Sequence, residues 1–260
     1  MIVKLKITIK NLETNFIVKG NGENIVLLHG WGSNIGLFEK MIEHLSKYCR
    51  VYALDMPGFG GTDEPQNPWC LDDYVDFVIE FIKSQNIDNT VLLGHSFGGR
   101  VIIKMSNIKS LPFKVSKIIL VDSAGILPKK TLKKKLKQRI YKLTRWALNL
   151  SFVKKAFPEA IEELRKKNGS ADYNAASPIM RQVLVKVVNE DLEPLLSNIQ
   201  QETLLIWGDK DTATPLSDGQ KMEKLIKNSG LVTVKGAGHY SYLEQFGLVH
   251  RVLDVFLNNK

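Results

Sequence analysis

Short apolar runs alternate with amphipathic segments along most of this chain. The runs have the length and continuity typical of strands in a parallel sheet that helices cover on both faces. They predict eight strands, over residues 2–9, 15–19, 25–28, 51–54, 90–93, 117–121, 204–207 and 231–234. Apolar positions three or four residues apart predict helices over residues 38–47, 71–83, 99–107, 219–227 and 249–257. We therefore expect an α/β fold with a mostly parallel, doubly covered sheet of about eight strands, whose first strands form an antiparallel edge.

Residues 126–195 interrupt this alternation, because they contain no convincing strand pattern. Their first half has the spacing of a long amphipathic helix. Its apolar positions are Leu132, Leu136, Ile140, Leu143, Trp146 (or Ala147), Leu150, Val153 and Phe157. We therefore expect one core domain, formed by residues 1–125 and 196–260, and an inserted helical cap formed by residues 126–195.

The positive charge of the chain is concentrated in that insertion. Of the 36 Lys and Arg residues, 16 lie in residues 126–195 with seven acidic residues, so the segment accounts for the whole net charge of +9. Residues 126–158 contain 11 basic residues and no acidic one. The simplest interpretation is a cap helix whose apolar stripe faces the pocket and whose basic face is solvated. The alternative is an anionic partner: a carrier protein, a CoA phosphate, or a membrane surface anchored by Trp146 and Phe152.

One pentapeptide carries a strong chemical signal. Gly94-His95-Ser96-Phe97-Gly98 directly follows the apolar run Val91-Leu92-Leu93. A G-x-S-x-G sequence presents a nucleophile where a strand turns sharply into a helix, because the strain of the turn exposes the serine oxygen. Side chains on the two glycines would collide with the neighbouring strand and helix. Ser96 is therefore the candidate nucleophile.

Three further segments follow predicted strands, so they meet at the carboxyl edge of the sheet. His29-Gly30-Trp31-Gly32 and the start of the helix after Ser96 offer the backbone amides of Trp31 and Phe97 as donors for an oxyanion. Gly208-Asp209-Lys210-Asp211 provides carboxylates, and Gly236-Ala237-Gly238-His239 provides an imidazole. Asp122, at the end of another strand, and Asp209 compete with Asp211 for the role of the acid.

The sequences HGWG, DMPGFGGT, GHSFGG, GDKDTATP and GAGH occur in that order, and together they resemble the α/β-hydrolase superfamily over residues 10–125 and 200–260. The resemblance implies Ser96 as nucleophile, His239 as base and Asp211 as the orienting acid, with the Trp31 and Phe97 amides as oxyanion hole. It also implies a variable cap over the site and a reaction without metal or organic cofactor. Serine at position 96 argues against the superfamily's dehalogenases and epoxide hydrolases, which need a carboxylate nucleophile.

Several other residues have ordinary structural explanations. His44 and His250 fall in helical patterns, which favours surface or packing roles, whereas His29 and His95 support loop geometry in the superfamily. Asp55 is expected to stabilise its own turn, and Arg100 to form a surface salt bridge. The candidates for the substrate pocket, which core packing would explain equally well, are Phe38, Met56, Trp146 and Tyr240.

The function expected from these observations is a carboxylesterase that hydrolyses small to medium acyl esters. A thioesterase or esterase acting on carrier-protein-linked or CoA-linked acyl groups, and a C–C bond hydrolase, are the enzymatic alternatives. The superfamily's methyl esterase of biotin synthesis is similar in its HGWG sequence and basic cap. A non-catalytic receptor for a small ligand is the alternative from another class. No stretch reaches the ~18 uncharged apolar residues that cross a bilayer, and no signal peptide is evident, so we expect a cytoplasmic protein. We expect no nucleic-acid partner, and the oligomeric state is left open.

Overall fold

The computed structural model describes residues 4–128, 132–148, 150, 159–160, 163–164 and 168–258. The first two positions of the predicted strand 2–9 lie outside this part of the chain. So do Phe152, Val153 and Phe157 from the predicted insertion.

All eight predicted strands form one sheet. Their bounds are β1 Leu5–Ile9, β2 Leu12–Lys19, β3 Glu23–Leu28, β4 Cys49–Leu54, β5 Asn89–His95, β6 Lys114–Val121, β7 Glu202–Gly208 and β8 Ser229–Val234. The spatial order is β1-β2-β4-β3-β5-β6-β7-β8. The pairs β1–β2 and β2–β4 are antiparallel and the other pairs are parallel. The predicted fold class and the antiparallel edge are thus confirmed.

The continuous apolar strands are explained by two separate cores, one on each face of the sheet. Along β3, Val26 and Leu28 belong to one core, whereas Ile25 and Leu27 belong to the other. The four side chains are fully buried. Because side chains alternate between faces, a strand covered on both sides needs an apolar residue at every position.

Helices cover both faces. Their bounds are α1 Glu39–Leu45, α2 Leu71–Ser84, α3 Phe97–Met105, α4 Leu132–Leu148, α5 Ala171–Ala175, α6 Pro178–Val188, α7 Leu216–Leu225, α8 Ser241–Glu244 and α9 Phe246–Asn258. Buried residues of α2 and α3 form one core with the sheet, and those of α1 and α9 form the other. Helix α3 begins at Phe97, two residues before the start predicted from apolar spacing and at the place expected for the Phe97 amide.

The predicted cap segment lies between β6 and β7, and its described residues contain helices and no strand. In α6, the Ser177 side chain accepts a hydrogen bond from the Met180 amide and Pro178 occupies the first turn, so the helix start is capped. One apolar side of α6 is packed inward, with Met180 2% exposed and Val183 fully buried.

Helix α4 differs from the expectation. The predicted apolar stripe was expected to face the pocket, but its described side chains point into solvent. Leu136, Ile140, Leu143 and Trp146 are 59%, 55%, 66% and 66% exposed. The sequence spacing thus located a helix correctly, but the expectation that its apolar stripe faces the pocket is wrong for the described side chains. Among the helices that the structure describes, none has the length and apolar character needed to span a membrane.

Candidate active site

Ser96 sits in a strained turn between β5, which ends at His95, and α3, which begins at Phe97. Its backbone angles, φ 49° and ψ −107°, lie in a region that non-glycine residues rarely adopt. A Cβ on Gly94 would lie 2.6 Å from the backbone of Gly98 in α3. A Cβ on Gly98 would lie 2.0 Å from the Leu28 carbonyl oxygen. Only glycines permit this close packing of helix and strand, and the turn lifts the Ser96 hydroxyl clear of the backbone.

The three residues predicted as a triad are joined by hydrogen bonds. His239 Nε2 lies 3.0 Å from Ser96 Oγ, and His239 Nδ1 lies 2.8 Å from Asp211 Oδ2. The carboxylate can only accept, so Nδ1 carries the proton and the Nε2 lone pair faces the Ser96 hydroxyl. This tautomer is the one that can remove a proton from the serine.

The carboxylate of Asp211 is held rigidly. Its side chain is fully buried, and Oδ1 accepts hydrogen bonds from the amides of Ala213 at 2.8 Å and Thr214 at 3.0 Å. Burial alone would raise the pKa of Asp211, but hydrogen bonds from His239 and Thr214 outweigh it and lower the pKa below its ordinary value. The group therefore stays ionised, as an acid that stabilises a charged imidazole must.

The two rival carboxylates, Asp122 and Asp209, accept hydrogen bonds from groups other than His239. Asp122 accepts from the Gly208 amide through Oδ1 at 2.8 Å, and from the Ser241 amide and hydroxyl through Oδ2 at 3.0 and 2.6 Å. Burial raises the pKa of Asp122 to about 6. The exposed Asp209 accepts from the Gly236 amide at 2.7 Å. Asp211 is the carboxylate that contacts His239.

The two residues predicted to provide the oxyanion donors lie in segments next to Ser96. Phe97 is the first residue of α3, so its amide has no carbonyl partner within the helix. The indole ring of Trp31 packs against the Phe97 ring with centroids 5.6 Å apart. The loop of Trp31 comes close to the Ser96 turn, since a Cβ on Gly30 would lie 2.7 Å from His95 Nδ1 and 3.3 Å from Ser96 Cβ. Two amides at this point could stabilise negative charge on an oxygen bound at Ser96.

Comparison with known proteins agrees with this geometry. A family model described as alpha/beta hydrolase fold matches residues 23–191, and one described as TAP-like protein matches residues 185–260. The chain belongs to the α/β-hydrolase fold family.

Several relatives of this family member are named as hydrolases or esterases. The AB hydrolase superfamily protein YisY of Bacillus subtilis is 27% identical, over 92% of this chain and 93% of its own. A pimeloyl-[acyl-carrier protein] methyl ester esterase of Shewanella woodyi is 30% identical, over 75% of this chain and 78% of its own. Among solved structures, a meta-cleavage product hydrolase of Pseudomonas fluorescens has a TM-score of 0.74 at 26% identity, covering 99% of this chain and 98% of its own. This chain is accordingly a hydrolase.

One residue of this hydrolase site was not found by sequence reasoning. The Thr214 hydroxyl lies 2.7 Å from Asp211 Oδ2, 3.0 Å from the backbone oxygen of Asp122 and 3.3 Å from His239 Nδ1. Its single hydrogen is best donated to the charged and closer carboxylate. The signal was present in Asp211-Thr212-Ala213-Thr214, since an Asp commonly accepts from amides two and three residues later and so fixes the following turn.

We expect Thr214→Val to lower kcat about tenfold with little change in KM, because the charged Asp211 loses a hydrogen bond of about 1.5 kcal/mol. Steady-state kinetics on an ester substrate measures this effect. Thr214→Ser keeps the hydroxyl and should retain kcat close to wild type. Equal activity of the Val and Ser variants would show that the hydroxyl does not help to position the carboxylate.

The loop that carries His239 is fastened from several sides. His95 Nε2 donates to the backbone oxygen of His239 at 2.8 Å. Glu244 accepts from the Gly238 amide at 2.9 Å and from the Tyr240 amide at 3.3 Å. A Cβ on Gly208 would lie 2.2 Å from the Gly238 carbonyl oxygen, so this glycine lets the loops after β7 and β8 pass close together. His239 is thereby held between Ser96 and Asp211.

The other histidines have structural contacts. His29 Nδ1 donates to the Gly30 oxygen at 2.8 Å, and its Nε2 accepts from the Met56 amide at 2.9 Å. Burial lowers the pKa of His95 to about 3, with a further contribution from His239, so its ring is neutral. His44 contacts Asp254 at 2.6 Å and stacks on His250 with centroids 4.0 Å apart. The loop-supporting and packing roles expected for these rings agree with the contacts.

Of two expectations about charged side chains, the one for Arg100 is wrong and the one for Asp55 is correct but incomplete. Arg100 is 4% exposed and donates to the backbone oxygen of Glu190, so the expected surface salt bridge is wrong. Asp55 does more than stabilise its own turn. It accepts from the Gly61 amide at 2.8 Å, from the Asn15 side chain at 2.6 Å and from the Ile35 amide at 2.8 Å. It thus ties three separate segments together.

The four candidate pocket residues have different positions. Phe38 is 1% exposed and Met56 fully buried, and they belong to the cores on opposite faces of the sheet. Trp146 is at the surface. Tyr240, 37% exposed, has its ring 5.6 Å from that of His239. Tyr240 is therefore the one of the four that the described contacts place beside the triad. Phe38 and Met56 fill the core, and Trp146 projects into solvent.

Proposed function

We propose that this protein is a serine hydrolase that cleaves carboxylic esters of small to medium acyl groups through an acyl-enzyme. The observation that carries the proposal is the continuous chain of hydrogen bonds from Ser96 Oγ through His239 to Asp211 Oδ2. The amides of Trp31 and Phe97, whose rings are in contact, are assigned to the oxyanion hole. The buried and anchored Asp211 is assigned to orient the imidazole.

In this proposal Ser96 Oγ attacks the acyl carbon while its proton passes to His239 Nε2. The Trp31 and Phe97 amides stabilise the negative oxygen of the tetrahedral intermediate. When that intermediate collapses, the bond to the leaving alcohol breaks and the alcohol takes the proton from Nε2. Water then attacks the acyl-enzyme, gives a proton to Nε2, and the acid leaves as Ser96 regains its proton.

We further propose that residues 126–195 form a cap over this site. The contacts of its described second half support the assignment. Met180 fills the space beside Gly58, and Asp172 Oδ1 lies 4.0 Å from the position of a Cβ on Gly32, in the loop next to Trp31. The Ser177 hydroxyl donates to Glu64 at 2.8 Å. A cap in this place would shape the acyl pocket. We also propose that the protein is cytoplasmic.

Hydrolysis of a C–C bond is the second candidate. The meta-cleavage product hydrolase in the comparison aligns with almost the whole chain, and the same triad could serve such chemistry. The ester proposal is favoured by the relative named a methyl ester esterase, which is 30% identical. A Ser–His–Asp site alone does not select between these bonds.

A substrate panel tests the proposed function. We expect turnover of p-nitrophenyl esters with a maximum at short to medium acyl length, and slower hydrolysis of matched acyl thioesters. A burst of p-nitrophenol equal to the enzyme concentration would report the acyl-enzyme. Turnover of a vinylogous 1,5-diketone without ester turnover would instead establish the C–C hydrolase. Tight binding of a small ligand with no turnover of any substrate would support the receptor alternative.

A further inference from the structure

Helix α4, Leu132–Leu148, combines two properties that the proposed reaction does not use. Its 17 residues include seven Lys or Arg and no acidic residue. On a helix that advances 100° per residue, Leu136, Ile140 and Leu143 lie on one face, and each is more than half exposed. Trp146, at the edge of that face, is 66% exposed. The described side chains of the helix thus combine an exposed apolar stripe with two exposed cations, Arg139 and Lys142.

Exposure of this stripe is not the rule for helices in this molecule. In α6, of the same insertion, Met180, Val183 and Val187 are almost completely buried. A helix of a folded protein normally turns its apolar stripe toward the core, since burial of each large side chain contributes about 1.5–3 kcal/mol. An apolar stripe left in water indicates an interaction surface.

From these observations we propose that α4 docks this protein on an anionic membrane surface. The helix lies in the plane of the interface, with Leu136, Ile140, Leu143 and Trp146 inserted among the lipids. Arg139 and Lys142, both exposed, lie on the Trp146 side of the stripe and contact anionic headgroups. Amphipathic helices that bind membranes have this composition, with Lys and Arg on the polar side and Leu and Trp on the other.

Charge and shape together favour a bilayer over an acidic carrier protein. Complementary charge would serve either partner, but four large apolar side chains along a stripe of about 15 Å need an apolar phase to enter. A tryptophan at the edge of the stripe matches the boundary between headgroups and acyl chains. The proposal concerns binding alone, so it holds whether or not the ester reaction is the right one.

The test is co-sedimentation of the chain of 260 residues with lipid vesicles. One set contains phosphatidylcholine alone, and the other contains about one third phosphatidylglycerol. We expect clear binding to the anionic vesicles, weak binding to the neutral ones, and release by high salt because the screening length shortens. We also expect a blue shift of tryptophan emission on anionic vesicles that Trp146→Phe largely removes.

Two double variants, each with a control double variant, separate the contributions of the apolar and the basic side chains to vesicle binding. Ile140→Ser with Leu143→Ser should weaken binding at least about tenfold, whereas Val185→Ser with Val188→Ser, at exposed positions of α6, should not. Arg139→Gln with Lys142→Gln should weaken binding about 25-fold, since each cation near an anionic surface contributes about a factor of five. Lys224→Gln with Lys227→Gln makes the same charge change at another exposed site and should have little effect.

Melting temperatures close to wild type will show that the variants remain folded, as expected for exposed positions. Equal binding to neutral and anionic vesicles, or unchanged binding of the Ile140/Leu143 variant, would overturn the proposal. Absence of vesicle binding together with salt-sensitive binding of an acidic acyl-carrier protein would overturn it in favour of the carrier protein.

Discussion

Replacement of Ser96 by Ala should reduce kcat for ester hydrolysis by about 10⁴–10⁶-fold while the protein remains folded. The variant removes the oxygen that attacks the acyl carbon. His239 Nε2, 3.0 Å away in the wild type, is then left without its proton donor. The oxyanion amides and the binding surface stay in place, so KM should change little. Steady-state kinetics with p-nitrophenyl esters measure the loss of turnover. Labelling with a fluorophosphonate measures the loss of the reactive serine.

The matched control is Ser106→Ala, at the end of the same helix. The Ser106 hydroxyl donates to the Ile102 carbonyl oxygen at 2.8 Å and has no contact with the triad. This variant should keep wild-type turnover and labelling. Substantial turnover by the Ser96 variant would show that another group is the nucleophile. Loss of activity in both variants would point to a folding defect in α3.

The sheet was predictable because the apolar pattern of each strand can be recognised from a few consecutive residues. A strand covered on both faces must be apolar at nearly every position, so β3, β5 and β7 were visible as continuous runs. The candidate triad was predictable for a related reason. Parallel strands end at the same edge, so Ser96, Asp211 and His239 were expected to converge although up to 143 residues separate them. The glycines Gly94 and Gly98 then located the turn.

What the sequence left open depends on contacts between distant segments. Helical spacing predicted α4 but not the surroundings of its apolar face, because periodicity identifies an apolar face without showing what contacts it. Arg100 looked like a surface residue, yet Glu190, 90 positions later, covers it and accepts its hydrogen bond. For Thr214, the contact with Asp211 is local, but its contacts with Asp122 and His239 depend on segments that are distant in the sequence. Pocket residues were poorly predicted for the same reason. A buried aromatic residue such as Phe38 has the same apolar sequence surroundings whether it lies in a core or lines a binding site.

Of the candidate acids, Asp211 should prove indispensable and Asp122 structural. Asp211→Asn keeps the shape and the acceptor for the Ala213 and Thr214 amides, but it turns an NH₂ group toward His239 Nδ1. The imidazole must then accept at Nδ1 and carry its proton on Nε2, where it can no longer receive the proton of Ser96. We expect kcat to fall about 10⁴-fold with a nearly unchanged melting temperature.

Asp122→Asn should have the opposite profile. The new NH₂ group faces either the Gly208 amide or the Ser241 amide, and both are donors that the carboxylate now satisfies. A buried clash of donors costs about 1–3 kcal/mol of stability. The hydrogen bond between His239 and Asp211 is left intact, so kcat should stay within about tenfold of wild type. Calorimetry and kinetics on the same preparations separate the two effects.

Asp209→Asn completes the comparison, because Asp209 lies two residues before Asp211 and its carboxylate is exposed. Its contact is with the Gly236 amide, at 2.7 Å, so both activity and stability should remain close to wild type. If Asp122→Asn abolished turnover while Asp211→Asn retained it, the acid would have to be reassigned to the end of β6. The hydrogen bond of 2.8 Å between Asp211 and His239 argues for the first outcome. A carboxylate committed to Gly208 and Ser241 could reach the imidazole only by breaking bonds that hold β7 and α8 in place.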